Sequence, residues 1–570
     1  MSDPTSVAGL DLSPIPGKRY HNFEREFREE FIYFLLVDRF HDSRDRTPGQ
    51  TSPGRSQGSG NADRLGDFCG GTLKGVKDHL DYIAGLGCTA IWLSPVFENN
   101  PHAYHGYAIQ NYLAVDPNFG TRQDLTDLVD AAHGLEMRVI LDVVINHSGD
   151  NWSYSPDEDF FYFQDQQFPF GDFRRPDRPV PTELRNRNLY HRRGQVRNFD
   201  AFPETQRGDF FALKDYNNDI DDPNDADAAT LINTLIRAHC YWLREADVDG
   251  FRVDAVKHLG PLAVARFSSE VREYAYSLGK RSFRLFGELI AGDDAINRYI
   301  GPSTPTRVGD KEVFFGLDSV LDFPLYFVLP SVLKGFRPPT ELIDRYEAQR
   351  QRALSRGELG RYLVTFLDNH DNPGTPQDAP HMRFGAQTPD EQVIAGVGYI
   401  LCALGTPCIY YGTEQGFSGQ GMGDRFIREA MFDLDDQQHN LLNPNCRIYQ
   451  RVGEIAKVFR GQSALRFGRM YFREVSGNGR DFGLPQGHPC TLAFSRVLAN
   501  DEVLVAHNTS TTERREDCVI VDNGLHKGGD AMRFLYGSSG AASVEDHPDP
   551  NNPSRFVRLN LDPMQFVILR

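Results

Sequence analysis

GFRVDAVKH (250–258) is the stretch whose reading decides the fold. Gly250–Val253 is a short apolar run, and a carboxylate, Asp254, follows it at once. Two further segments repeat the pattern: RLFGEL (284–289) carries Glu288 after the run Phe283–Phe286, and FLDNHD (366–371) carries Asp371 after Tyr362–Leu367. Short apolar runs of this kind read as strands buried on both faces of a parallel sheet. A carboxylate just past the C-terminal end of such a strand sits on the rim where β/α barrels hold their reacting groups. Three on one rim suit a reaction that needs an acid, a nucleophile and a charge-stabilising anion, and glycosidic bond cleavage is such a reaction. Arg252 precedes Asp254 by two, so both side chains share one face of the strand and the guanidinium can keep the carboxylate ionised and aimed.

Working outward, more apolar runs alternate with helical spacing. Phe31–Leu36, Ala90–Leu93 and Arg138–Val144 read as the first three strands, Ser319–Leu321 as the sixth and Thr406–Tyr410 as the eighth. Val76, Leu80, Ile83 and Leu86 recur at helical spacing and end at Gly87, a C-terminal cap; Leu125, Leu128, Val129 and Ala132 mark the next helix. Leu231, Ile232, Leu235, Ile236, Trp242 and Leu243 mark the helix before the Asp254 strand. This rhythm is that of a (β/α)8 barrel. It breaks after His147: residues 148–212 are rich in Asp, Pro, Phe and Arg without periodicity, too long for a plain loop, and read as an inserted domain. Beyond about 463, runs such as LAFSRVLANDEVLVAHN (492–508) alternate in the manner of antiparallel strands, a C-terminal β-sandwich. The expected organisation is therefore α/β: a barrel over 1–147 and 213–462, the insert over 148–212 and the sandwich over 463–570. Residues 1–28 are expected to wrap the barrel, and TPGQTSPGRSQGSGNADRLGD (47–67) to form a long loop.

Composition narrows the partners. A formal net charge of −18 argues against nucleic acid and anionic membrane surfaces, and is compatible with a neutral ligand. The sequence contains no run of eighteen apolar residues. MSDPTSVAGLDLSPIPGKRY (1–20) lacks the pattern of a signal peptide. The eight cysteines (69, 88, 240, 402, 408, 446, 490, 518) form no CxxC pair and read as buried reduced thiols. A cytoplasmic protein is the expectation, although a secreted mature form would read the same way.

DVVINH (142–147), LKDYNND (213–219) and the three carboxylate segments, in this order and spacing, resemble the conserved regions of the α-amylase family, glycoside hydrolase family 13. The resemblance extends from DRF (38–40) to GTPCIYYGTEQGF (405–417). It implies that Asp254 is the nucleophile, Glu288 the general acid/base and Asp371 the third carboxylate. It implies that His147 and His370 bind the same glucosyl unit, that Tyr107 of AYHGY (103–107) is an aromatic platform beneath it, and that Lys257 and His258 line the leaving side. The implied activity is retaining hydrolysis of α-1,4 bonds in maltooligosaccharides or starch-like glucans. An α-glucanotransferase using the same first step is the alternative; an inactive glucan-binding protein is a third reading, opposed by the presence of all three carboxylates.

The resemblance further implies calcium between barrel and insert, on Asn146, on Asp215 or Asn217, and on the backbone carbonyl of His258; oxygen donors suit Ca²⁺. No organic cofactor is implied. Asn217 stands where the family commonly has Asp. DRFHDSRDR (38–46) takes the place of a second calcium loop in some relatives, but Arg44 and Arg46 oppose a cation there. NPGTPQDAPHMRFG (372–385) is longer than the family's spacing from its third carboxylate to an arginine, and leaves Arg383 as the candidate. LGPLAVARF (259–267) lacks the aromatic that cyclodextrin-forming relatives carry early in this segment, which argues against that specificity.

Overall fold

A computed structural model describes residues 3–48, 64–221, 225–300, 306–308, 311–313, 316–351, 359–374, 382–419, 423–434 and 438–570. Most of the expected loop over 47–67 lies outside them.

Eight parallel strands form the central sheet: Ile32–Leu35, Ala90–Leu93, Arg138–Val143, Gly250–Val253, Arg284–Gly287, Ser319–Val320, Val364–Thr365 and Thr406–Tyr410. They neighbour one another in chain order, with the first also paired to the eighth. A parallel bridge between Leu321 and Val364 joins the sixth strand to the seventh and closes the barrel. All eight runs read from the sequence are strands here. The seventh is shorter than expected, two residues instead of Tyr362–Leu367, and the fifth starts one residue later, at Arg284.

The register places the site. Arg252 pairs with Asp142 on one side and Phe286 on the other. The ladder runs on past the strand ends, with Asp254 N–H donating to the Val143 carbonyl and Glu288 N–H to the Val253 carbonyl, both 2.9 Å. Asp254 and Glu288 thereby stand on adjacent strands at one rim.

Local chemistry fixes the helices around the sheet. Thr121 and Asp124 form a reciprocal capping box at the start of Arg122–Gly134, whose Leu125, Leu128, Val129 and Ala132 are buried. Asp225 caps Ala226–Ala246 by accepting from Ala228 N–H at 2.8 Å; such a cap contributes about 1 kcal/mol. The helix expected over Val76–Leu86 is two, Leu73–Lys77 and Leu80–Leu86, because His79 leaves the helical conformation (φ −122°, ψ 20°); Gly87 ends the second in the left-handed region.

After the second strand the chain makes an antiparallel excursion, Phe97–Asn99 with Ile109–Val115, that periodicity did not reveal. After the third, it leaves through His147–Ser148 and returns through Lys214–Asp215, which pair antiparallel, so the two ends of the insert are tied together at the barrel mouth. The N-terminal segment straps the outside: Thr5 accepts from Thr182 of the insert, and Val7 from Arg237 of the helix before the fourth strand. Nine antiparallel strands between Arg469 and Leu569 form one sheet that curls around Leu504, Val519, Met532, Val557 and Val567. Arg496 anchors it to the barrel through the Cys402 carbonyl at 2.7 Å. Seven cysteines are buried, and Cys88, Cys240, Cys402, Cys408, Cys490 and Cys518 are free thiols. Among the described residues no helix is long and apolar enough to cross a membrane.

Candidate active site

Arg252 is the hub of the rim. Its side chain is buried, and its Nη1 donates to both oxygens of Asp142 at 2.8 and 2.9 Å and to Asp254 Oδ1 at 2.7 Å. Its Nη2 lies 3.0 Å from Glu288 Oε2. One cation thus touches three carboxylates on three adjacent strands. Asp142 also accepts from Tyr107 Oη at 2.9 Å and Trp92 Nε1 at 3.2 Å, so the aromatic floor and the charged wall are one network. Ala255 turns the chain after Asp254 in the left-handed region (φ 50°), and its N–H donates to Glu288 Oε2 at 3.1 Å. A non-glycine residue there carries strain of about 1–2 kcal/mol; here it aims a backbone donor at the neighbouring carboxyl.

The carboxyls separate by protonation. Burial, reinforced by the charges of Asp254 and Asp371 and opposed by Arg252, pushes Glu288 up to about 8. Burial also raises Asp254, against Arg252, but only to about 6. The pair therefore favours a single proton, held more tightly by Glu288 than by Asp254. Two carboxyls pushed apart in this way provide an acid and an anion in one site.

Asp371 is presented by a turn in which Asn369 Oδ1 accepts from the N–H groups of Asp371 and Asn372 at 2.9 and 2.8 Å. Arg428 Nη2 donates to Asp371 Oδ1 at 2.8 Å while its Nε holds the His370 carbonyl at 2.9 Å. Burial works against ionisation of Asp371, but the charges of Arg428 and Arg252 outweigh it and hold its carboxyl below the usual range. His370 is itself driven down to about 3 by burial, so the guanidinium groups, and not an imidazolium, supply the positive charge beside Asp371, whose Oδ2 lies 3.3 Å from His370 Nε2.

Tyr107, His147 and His370 meet at the floor. The rings of Tyr107 and His370 stack at 5.3 Å, and His147 Nε2 lies 3.3 Å from the Tyr107 carbonyl. Gly106, just before Tyr107, lets the chain pass close to Pro95: at φ 91°, a Cβ there would lie 2.2 Å from the Pro95 carbonyl oxygen. On the opposite side, Lys257 is ion-paired with Asp200 of the insert. His258 Nδ1 sits 2.6 Å from the Thr205 carbonyl, its ring edge-on to Phe210 at 4.2 Å. These groups surround a cleft of about 680 Å³ whose outer wall is Phe199, Phe210 and Phe211.

The structure brings Asp254, Glu288, Asp371, Tyr107, His147, Lys257, His258 and His370 to one cleft, with Arg252 behind its carboxylates. Arg383 is elsewhere: its buried guanidinium binds Glu429 at 2.9 Å and lies over Tyr410, and Arg428 holds Asp371 instead. Arg428, Asp142 and His105 are site residues that the sequence did not single out. DRFIREAM (424–431) offers no periodicity that would have pointed to Arg428.

Asn146 Nδ2 lies 3.4 Å from Asp215 Oδ1, and Asn146 Oδ1 is buried with no hydrogen-bond partner. Asp215 Oδ2 is bound by His191 Nδ1 at 2.6 Å, while the Asn217 amide turns to Asp225 at 2.8 Å. Among the described residues no three His, Cys, Asp or Glu side chains converge as a metal site.

Comparison with known proteins agrees with this geometry. Residues 34–296 match the model of the α-amylase catalytic domain. The α-amylase of Saccharomycopsis fibuligera is 30% identical over 566 residues, covering 95% of this chain and 93% of that protein. The chain belongs to the α-amylase family. The α-amylase of Streptomyces lividans is 28% identical across 92% of the chain, which spans 59% of that longer protein. The crystal structure of the Geobacillus thermoleovorans α-amylase, complexed with acarbose, superposes with a TM-score of 0.68 at 25% identity, covering 96% of this chain and 99% of that one.

Proposed function

We propose that this α-amylase-family chain cleaves α-1,4-glucosidic bonds in maltooligosaccharides and starch-like glucans by double displacement with retention. The observation that carries the reading is the Arg252 bridge, which holds Asp254 and Glu288 against one guanidinium. Retaining enzymes keep their two carboxyls about 5–5.5 Å apart, inverting ones roughly 6.5–9.5 Å. A single guanidinium contacting both supports the close arrangement.

Protonated Glu288 gives its proton to the glycosidic oxygen as the bond to the leaving sugar breaks. The Asp254 carboxylate bonds to the anomeric carbon and forms a glycosyl ester. Glu288, now anionic, takes a proton from an incoming water, whose oxygen displaces Asp254 and restores both carboxyls. Asp371 and His370 hold sugar hydroxyls on the glycosyl side, with Tyr107 under the ring. Maltotetraose as substrate tests the reading: shorter maltooligosaccharides should appear with the α-configuration at the new reducing end, and β-configured product would overturn it.

A sugar hydroxyl can replace water in the second step, giving transfer. The apolar wall of Phe199, Phe210 and Phe211 beside His258 favours this reading as a second activity of the same site, because it offers an acceptor ring a surface that water does not need. The buried Asn146 oxygen, left without a partner while the amide nitrogen faces Asp215, fits a calcium ion. These two side chains would hold it, with backbone carbonyls completing the shell, and its charge would pin the insert to the barrel.

A further inference from the structure

Of the nine large apolar side chains exposed among the described residues, five are phenylalanines of the insert: Phe161, Phe163, Phe199, Phe202 and Phe211. Two of them line the cleft. Phe199 and Phe211 stand at its mouth with rings 6.3 Å apart, and Phe199 is 5.9 Å from the His258 ring. Phe202, three residues after Phe199, is 71% exposed; Arg197, two residues before Phe199, lies 5.2 Å over the ring of Phe161. Backbone bonds between Tyr162 and Gln195 and between Gln195 and Phe160 keep the two segments side by side. Exposed aromatic side chains thus recur along the insert from the cleft mouth to its surface.

Exposed aromatic side chains gathered on one inserted segment are candidates for a binding face. Beside these rings Asp165 is paired with Arg207 and Asp200 with Lys257, so local charges largely cancel and, with the chain as a whole at −18, the face offers a polyanion little attraction. A neutral polymer with apolar C–H faces and hydroxyl edges matches both features, and a chain leaving the cleft on the His258 side would meet this surface first.

We infer that the phenylalanine face of the insert, from Phe211 and Phe199 at the cleft mouth to Phe202 and Phe161 outside it, is a track for an α-glucan chain extending beyond the leaving side of the site. The inference rests on the glucan reading of the cleft. Phe161→Ala/Phe202→Ala tests it, since both rings are exposed and neither lines the cleft. Loss of two stacking contacts should lower kcat/KM on amylose about tenfold and abolish most of the retardation of the protein in amylose-containing native gels, while kcat/KM on maltotriose stays the same. Equal effects on both substrates, or none, would overturn the track. So would a wild-type dimer on gel filtration that the variant fails to form, because the face would then be a contact between copies. Inactivity of the wild type on every α-glucan would refute the reading of the cleft instead, and the gel retardation would still decide the track.

Discussion

Glu288 is raised in the folded state and Asp254 less so, and both consequences are measurable. The productive form has Glu288 protonated and Asp254 ionised. kcat/KM should therefore be bell-shaped, falling below about 6 as Asp254 gains its proton and above about 8 as Glu288 loses its own. Stability follows the opposite logic to a salt-bridged acid. A carboxyl raised from 4.5 to about 8 binds its proton more tightly when folded, so its contribution to stability is present below 4.5 and is lost as pH rises towards 8. Glu288→Gln should abolish turnover by at least about a hundredfold, yet melt higher than wild type at pH 8, with the gap closing at pH 5; an equal gap at both would contradict the assigned shift. Arg428 acts through Asp371. Arg428→Met should cut kcat about ten- to a hundredfold, the loss expected on truncating a buried charge pair, and move the acidic limb upward; Arg428→Lys should restore part of both. A fall in melting temperature with an unmoved pH profile would make Arg428 merely structural. The sequence exposed Asp254, Glu288 and Asp371 because each breaks an apolar run. Asp142 lies inside such a run and looked like a strand interior, and Arg428 meets Asp371 across 57 residues of chain, a pairing that no local pattern records.

At the scale of elements, the turn after the fourth strand and the segment 199–211 of the insert make the leaving side together. Lys257 pairs with Asp200, His258 with the Thr205 carbonyl, and Gln206 with the Leu259 carbonyl at 3.2 Å. If these contacts shape an acceptor subsite, Lys257→Ala/His258→Ala should lower the ratio of transfer to hydrolysis at high oligosaccharide concentration. It should also slow long substrates more than an activated aryl glycoside, whose departure depends less on subsite binding. Product analysis of wild type and variant decides this; an unchanged ratio would leave the pair as mere scaffolding between turn and insert. The eight strands were legible because burial on both faces demands continuous apolar runs. The excursion Phe97–Asn99 and Ile109–Val115 was not, because its register slips twice and no clean alternation survives.

The whole molecule places a rigid, closed sheet behind the chemistry and a variable insert in front of it. The barrel register sets Asp142, Arg252 and Glu288 on adjacent strands, and the insert, tied back at His147–Ser148 and Lys214–Asp215, walls the side by which the product leaves. Between Ser148 and Lys214 the sequence offers only an interruption of rhythm, since irregular backbone held by aromatic contacts and side-chain bonds leaves no period to read. The central claim is that Asp254 forms a covalent bond to the sugar while Glu288 manages protons. Glu288→Gln incubated with α-maltosyl fluoride tests it most directly: fluoride leaves without an acid, so the first step survives, and the second is starved of its base. Intact-mass and peptide analysis should find one maltosyl group esterified to Asp254. An adduct on another residue, or turnover to β-maltose with no adduct at all, would contradict the account.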